Sequence, residues 1–221
     1  MADIKANLKE IKNKLSDDIT LVAVSKTKPN EDIMEAYEIG HKDFGENKIQ
    51  DMTDKYEALP KDIRWHMIGH VQRNKVKYMA KYVHLIHAVD SLKLLKEINK
   101  RAKNEERCIQ CLLQLKIAEE DSKFGLDLQD LLDILESDAY KNYENVKIVG
   151  LMGMATFTED ETQVHREFTQ LENLYFDLKD KYNFTTLSMG MSGDYELALE
   201  HRTTMVRIGS KIFGKRDYDN W

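Results

Sequence analysis

A lysine placed where a buried strand leaves its sheet is a candidate for covalent chemistry with carbonyl compounds. Lys26 stands in that place, at the end of Leu21-Val22-Ala23-Val24-Ser25. An ammonium held against apolar surroundings loses its proton more readily, and the free amine attacks a carbonyl to form a Schiff base. Alone, such a residue is more often a solvated lysine that begins a loop. Three further features point the other way. Ser188-Met189-Gly190-Met191-Ser192-Gly193-Asp194 and Ile208-Gly209-Ser210 are small-residue turns, in which backbone amides and hydroxyls can close on one anion. Arg207 interrupts the apolar run Met205-Val206-Arg207-Ile208, and a buried arginine needs either a carboxylate on a neighbouring strand or a ligand. A reactive amine, an anion cradle and an inward cation together fit pyridoxal phosphate (PLP). The aldehyde goes to Lys26, the phosphate to the two turns and the ring nitrogen to Arg207.

Other residues at expected strand ends are Glu46 and Asn47, His66 with Gly69, His87 with Asp90, and Met152 and Met154. His66 and His70 invite a metal reading, but the strand context and Gly69 argue against a helical H-x-x-x-H pair, and no third ligand is apparent. No metal is expected. The ten methionines read as barrel filling. Cys108 and Cys111 fall in a strand-like run, where residues three apart face opposite sides; they read as core thiols in a reducing compartment.

The elements that must position these groups follow from periodicity. A helical stripe covers residues 3 to 15, ahead of the strand that carries Lys26. Pro29-Asn30-Glu31-Asp32 opens a helix that Gly40 stops. Further strands are expected at Asp43–Gly45, Arg64–Gly69, Val83–Val89, Cys108–Ile117, Val146–Met152, Thr185–Met189 and Met205–Gly209. Helices are expected between them: from Glu46-Asn47 to about Ala58, Asn74–Tyr82, from the N-cap Ser91 to about Lys103, Asp127–Glu136, Asp160–Tyr182 and Tyr195–Glu200. Strict alternation of buried strands with helices implies a parallel sheet with right-handed crossovers. Eight such units at 221 residues fit an α/β fold, a single (β/α)8 TIM barrel with an extra N-terminal helix. An open doubly wound sheet would want a G-x-G-x-x-G turn after the first strand, and there is none. In a barrel the functional face is built from the carboxyl ends of the strands, with phosphate held after strands seven and eight. The candidates collect there.

The formal charge of −6 gives no reason to expect nucleic acid as a partner. No apolar segment follows the first Met and no run reaches transmembrane length, so the expectation is a cytoplasmic protein without a membrane partner. No linker or composition shift divides the chain, and residues 1–221 are taken as one domain.

Val24-Ser25-Lys26, Phe44-Gly45-Glu46-Asn47, Trp65-His66-Met67-Ile68-Gly69 with Gln72 and Asn74-Lys75, Leu187-Ser188-Met189-Gly190-Met191-Ser192, and Val206-Arg207-Ile208-Gly209 with Ile212-Phe213-Gly214 resemble the pyridoxal phosphate homeostasis proteins. The resemblance covers nearly the whole chain. It implies a fold-type III barrel like the N-terminal domain of alanine racemase, with a Schiff base to PLP on Lys26. It implies phosphate contacts from Ser188, Gly190, Gly209 and Ser210, with Met189 between them, ring-nitrogen contact from Arg207, and Asn47 lining the pocket. It further implies a role in cellular vitamin B6 balance without established catalytic activity, with PLP-requiring apoenzymes as candidate recipients. His70, where many members have proline, and His201-Arg202-Thr203 depart from the pattern. The competing reading is an amino-acid racemase, which needs a base on each face of the substrate. In racemases the opposing tyrosine comes from a second domain, and the chain ends at Trp221, so that domain is not expected. Tyr195, His66 and His87 are the conceivable substitutes, each better suited to pocket or core. A cofactor-free Schiff-base aldolase is the third reading. The same missing domain makes a monomer the expectation.

Overall fold

The computed structural model describes residues 2–119 and 125–214. The chain starts with α1 (Ile4–Lys14), whose Asp3 side chain accepts the Ala6 amide and whose Ile4, Leu8 and Ile11 are buried. β1 (Thr20–Val24) leads to α2 (Asn30–Glu38), and β2 (Asp43–Glu46) to α3 (Ile49–Ala58). β3 (Arg64–Met67) is followed by a 3-10 turn, Arg73–Lys75, and α4 (Val76–Met79). This helix is shorter than its periodicity predicts, because the Tyr82 and Val83 amides both turn back to the Met79 carbonyl and close it. Then come β4 (Leu85–Val89), α5 (Leu92–Asn104), β5 (Ile109–Leu115), α6 (Leu128–Glu136), α7 (Asp138–Lys141) and β6 (Val146–Gly153). The series ends with α8 (Glu161–Tyr182), β7 (Thr186–Met191), α9 (Tyr195–Leu199), β8 (Met205–Ile208) and α10 (Ser210–Phe213). The cap expected at Ser91 accepts an amide of the following turn, and so do Asp127 and Asp160, which stand at the expected helix starts.

The eight strands form one closed parallel barrel in sequence order, with β1 paired to both β2 and β8. Two side-chain layers result. Outward residues such as Phe44, Trp65, Ile86 and Leu113 pack against the helices in one large core. Inside, Val22, Leu85, Leu112, Val149, Met152 and Met205 fill the barrel. Its remaining interior is polar: His66, His87, Ser188 and Arg207 are all nearly or wholly buried. Among the described residues no helix is long and apolar enough to cross a membrane.

Three expectations need correction. Ser188 to Met191 belong to β7 and do not form a turn; the turn begins at Ser192. Cys108 precedes β5 and is exposed, and only Cys111 is a core thiol. The short helices α7 and α10 escaped notice because four residues give no period to read.

Candidate functional site

At the carboxyl end of the barrel lies a cavity of about 970 Å³, within the size range of small-molecule sites. Lys26, Asn47, Arg207, Gly209 and Ser210 all line it, so five of the eight predicted positions share one cavity. Ser188, Met189 and Gly190 do not. Ser188 and Met189 are fully buried behind its wall, and Gly190 adopts φ +94° where a Cβ would press within 2.7 Å of Ala198. Their place on the cavity is taken by Met191, Ser192, Gly193 and Asp194.

Lys26 follows β1 at once, in a turn tightened by Thr27 at φ +65°. What holds this turn is a buried bracket behind it. Glu46 accepts the Ser25 hydroxyl at 2.6 Å and the Lys55 ammonium at 2.7 Å, while Lys55 also donates to the Ser25 carbonyl at 2.9 Å. Burial raises the Glu46 carboxyl, and Lys55 opposes that rise. The second Glu46 oxygen finds no hydrogen bond. Asn47 reaches the cavity because Gly69 lets β2 and β3 draw together; a Cβ there would lie 2.4 Å from the Asn47 carbonyl oxygen.

Across the cavity the loop after β7 and the start of α10 are tied together. The Ser192 hydroxyl accepts the Gly209 amide at 3.0 Å, and Asp194 accepts the Met191 amide at 2.5 Å. The Gly209 amide is thus engaged by Ser192, and the anion donors left to this corner are the first-turn amides and hydroxyl at Ser210 and Lys211. Gly193 is open, with no atom within 4 Å of a Cβ placed there. Lys28 and Lys211 add positive charge to the rim; Lys28 donates to the Phe213 carbonyl at 2.8 Å. Sequence reading missed these two lysines and Ser192, although Ser192 lay inside the turn it singled out.

Arg207 is 4% exposed. It donates to the Ser188 hydroxyl at 2.5 Å and to the Gly153 carbonyl at 3.0 Å. Burial lowers the guanidinium to about 10, with Asp194 opposing, so it is a cation at neutral pH. No carboxylate among the described residues forms an ion pair with it, which removes the neighbouring-strand explanation for a buried arginine. A cation this deep, in no salt bridge and with Asp194 of the same cavity as the one carboxylate that acts on it, fits a ligand rich in acceptors.

His66 and His70 are not brought together. His66 lies inside the barrel on Asp43 and His87, and His70 sits at the cavity rim, 3.5 Å from Asp90. Asp43, His66 and His84 do bring ligand-type atoms within 4.8 Å of one another, but Arg64 already holds both Asp43 oxygens. Tyr195 is buried outside the cavity, bonded to Glu196.

The family model for the alanine racemase N-terminal domain matches residues 1–217. A pyridoxal phosphate homeostasis protein of Aquifex aeolicus is 40% identical over 201 residues, 90% of this chain and 87% of that one. Its namesake in Escherichia coli K12 is 34% identical over 99% of both chains. The solved structure of PipY from Synechococcus elongatus, without PLP, superposes with a TM-score of 0.89 at 31% identity, covering 96% of this chain and all of that one. The same protein with PLP bound gives 0.86. An alanine racemase of Clostridium difficile shares the fold at TM-score 0.81 and 16% identity, this chain covering 58% of its length.

Proposed function

We propose, because this chain belongs to the alanine racemase N-terminal domain family and within it to the pyridoxal phosphate homeostasis proteins, that it binds pyridoxal 5′-phosphate in the strand-end cavity and serves the cell's supply of it. The observation that carries this reading is Arg207, buried and in no salt bridge among the described residues, on the cavity that Lys26 also lines. The residues present fit the group. Lys26 supplies the amine for a covalent bond to the aldehyde, Arg207 an N–H donor for an unprotonated ring nitrogen, and Ser192, Ser210 and the first amides of α10 the corner for the phosphate, with Lys28 and Lys211 as nearby positive charge. Ser188 serves behind Arg207, and Asn47 borders the ring side. The cofactor, when bound, supplies an aldehyde and an electron-withdrawing ring.

The role proposed is holding and releasing the cofactor, without turnover of amino acids. An N–H donor on the ring nitrogen disfavours its protonation and weakens the ring as an electron sink. His66, His87 and Tyr195, the conceivable second bases, do not line the cavity. A soluble monomer in the cytoplasm completes the proposal.

The test is the absorption spectrum of the protein loaded with PLP. Lys26→Ala is expected to lose the visible band and the borohydride-stable adduct while remaining folded, and free pyridoxal to bind much more weakly than its phosphate. An adduct that maps to another lysine, or equal affinity for the two vitamers, would overturn the site. Turnover of any L-amino acid at about 1 per second or faster, abolished by Lys26→Ala, would favour the racemase-like reading.

A further inference from the structure

Behind Arg207 a file of buried polar side chains crosses the barrel from its mouth to its floor. Each member sits on a different strand: Arg207 on β8, Ser188 on β7, His87 on β4, His66 on β3 and Asp43 on β2. The contacts run from Arg207 Nη1 to Ser188 Oγ at 2.5 Å and from Ser188 Oγ to His87 Nδ1 at 3.4 Å. They continue from His87 Nε2 to His66 Nδ1 at 3.0 Å and from His66 Nε2 to Asp43 Oδ1 at 3.0 Å. Asp43 borders a second cleft of about 350 Å³ at the opposite end of the barrel, where Arg64 grips its carboxylate.

With one proton on each ring, the carboxylate end sets the direction of every bond between the two ends. A guanidinium can only donate, and an ionised carboxylate can only accept. Burial would raise Asp43, but hydrogen bonds from Arg64 and His66 outweigh it and hold the carboxyl well below its ordinary range, so it is ionised. His66 therefore donates from Nε2, and a ring carrying this one proton accepts at Nδ1. His87 must donate from Nε2 to that atom and accept at Nδ1. The acceptor at His87 Nδ1 draws the Ser188 proton towards it, which leaves the Ser188 lone pairs for Arg207. If the rings were reversed, Arg207 and His87 Nδ1–H would both donate to Ser188 Oγ, and the hydroxyl proton would have no acceptor among the described residues.

We propose that Asp43, on the floor of the barrel, is a positioning residue for the mouth: through His66, His87 and Ser188 it fixes the hydroxyl direction that holds Arg207 in its pose towards the ligand. Arg207 is thereby committed on two sides, to Ser188 and to the Gly153 carbonyl, and only its remaining donors face the cavity. The consequence for binding rests on the cofactor reading above; the orientation of the chain does not.

Nitrogen-15 spectra of the histidines in the cofactor-free protein test the orientation directly. Both His66 and His87 are expected as the tautomer protonated at Nε2 alone, and Asp43→Asn is expected to mix the tautomers of both. A His87 ring protonated at Nδ1 in the parent protein, a doubly protonated His66, or an Asp43→Asn spectrum unchanged at His87 would each overturn the proposal. Binding of PLP to the apo-protein supplies the second readout. Asp43→Asn and His87→Leu are expected to weaken it about threefold to tenfold, in the lower part of the range of coupling within one hydrogen-bond network. His87→Gln, whose amide can accept from Ser188 and donate to His66, is expected to restore it and covers the case in which Asp43→Asn fails to fold. In an Arg207→Lys background the loss from His87→Leu should vanish; full additivity there overturns the proposal. Should the protein bind no PLP at all, the functional reading fails while the tautomers still decide the chain.

Discussion

At the scale of single residues, His41 at the foot of the barrel and His87 inside it are buried with lowered pKa values, and this gives stability a defined dependence on pH. His41 is 4% exposed and hydrogen-bonds the Asp43 carbonyl through Nε2 at 2.9 Å. Burial, helped by Lys12 and Arg64, lowers it from 6.5 to about 4, against opposing contributions from Asp43. Burial likewise holds His87 far below its ordinary value, with His66, Arg207 and His84 adding to the effect. Between those values the unfolded chain binds protons that the folded chain refuses, so stability falls as pH drops. Asp43 has the opposite origin but the same sign: its contribution is full above the ordinary carboxylate value and is lost only below about pH 4. The urea midpoint is therefore expected to decline steadily from about pH 6.5 to about pH 4, and His41→Gln to flatten part of that decline. A midpoint constant over this interval would contradict the buried neutral rings. Of the site itself, Lys26, Asn47, Arg207, Gly209 and Ser210 were legible, because strand ends and an arginine within an apolar run leave a mark in sequence. The displacement of Ser188 from the wall was not legible. It depends on β7 extending two residues beyond its apolar run, through Gly190 and Met191, and on Ser188 pairing with Met152 and Met205 inside the barrel.

Among elements, α3 does more than cover β2 and β3. Its Lys55 supplies the cation for the fully buried Glu46 and a donor for the Ser25 carbonyl, so the helix of the next unit clamps the turn that presents Lys26. Removing one partner of a buried pair leaves an uncompensated charge, which costs about 3–5 kcal/mol. Lys55→Met is expected to lose stability of that order in urea unfolding, and adding Glu46→Gln to recover most of it. If Lys55→Met cost under about 1 kcal/mol, as exposed pairs do, the bracket would not be what holds the turn. Most elements were legible from the alternation of buried runs with helical stripes, and one cap from Ser91; the capping by Asp127 and Asp160 emerged with the structure. The bracket was not, since nothing in sequence links Glu46 to a lysine nine positions on and a serine twenty-one positions back until a strand and a helix are packed together.

Taken whole, the described residues form one barrel whose closing seam joins β1 to β8 over four register pairs, with Asn7 of α1 bonded to the Ile212 carbonyl and Lys28 to that of Phe213. We propose that the molecule unfolds as one unit and that the cofactor, bound across this seam, stabilises all of it. At a hundredfold excess over the dissociation constant the gain is about 2.7 kcal/mol, which for a chain of this size raises Tm by about 5–10 °C. Calorimetry should show one transition that moves upward with PLP; two transitions, or a shift equally large with pyridoxal, would contradict it. The same seam sets a timetable for the protein's birth. Lys26 and Arg207 stand 181 residues apart in the chain, and at about 5–20 residues per second the ribosome separates their appearance by roughly 10–40 seconds. Throughout that interval the nascent chain carries the Lys26 amine without β8, the late loops or the arginine. On the reading proposed above, capture of the vitamer must wait for β8: the strand that joins back to β1 is also the one that completes the vessel.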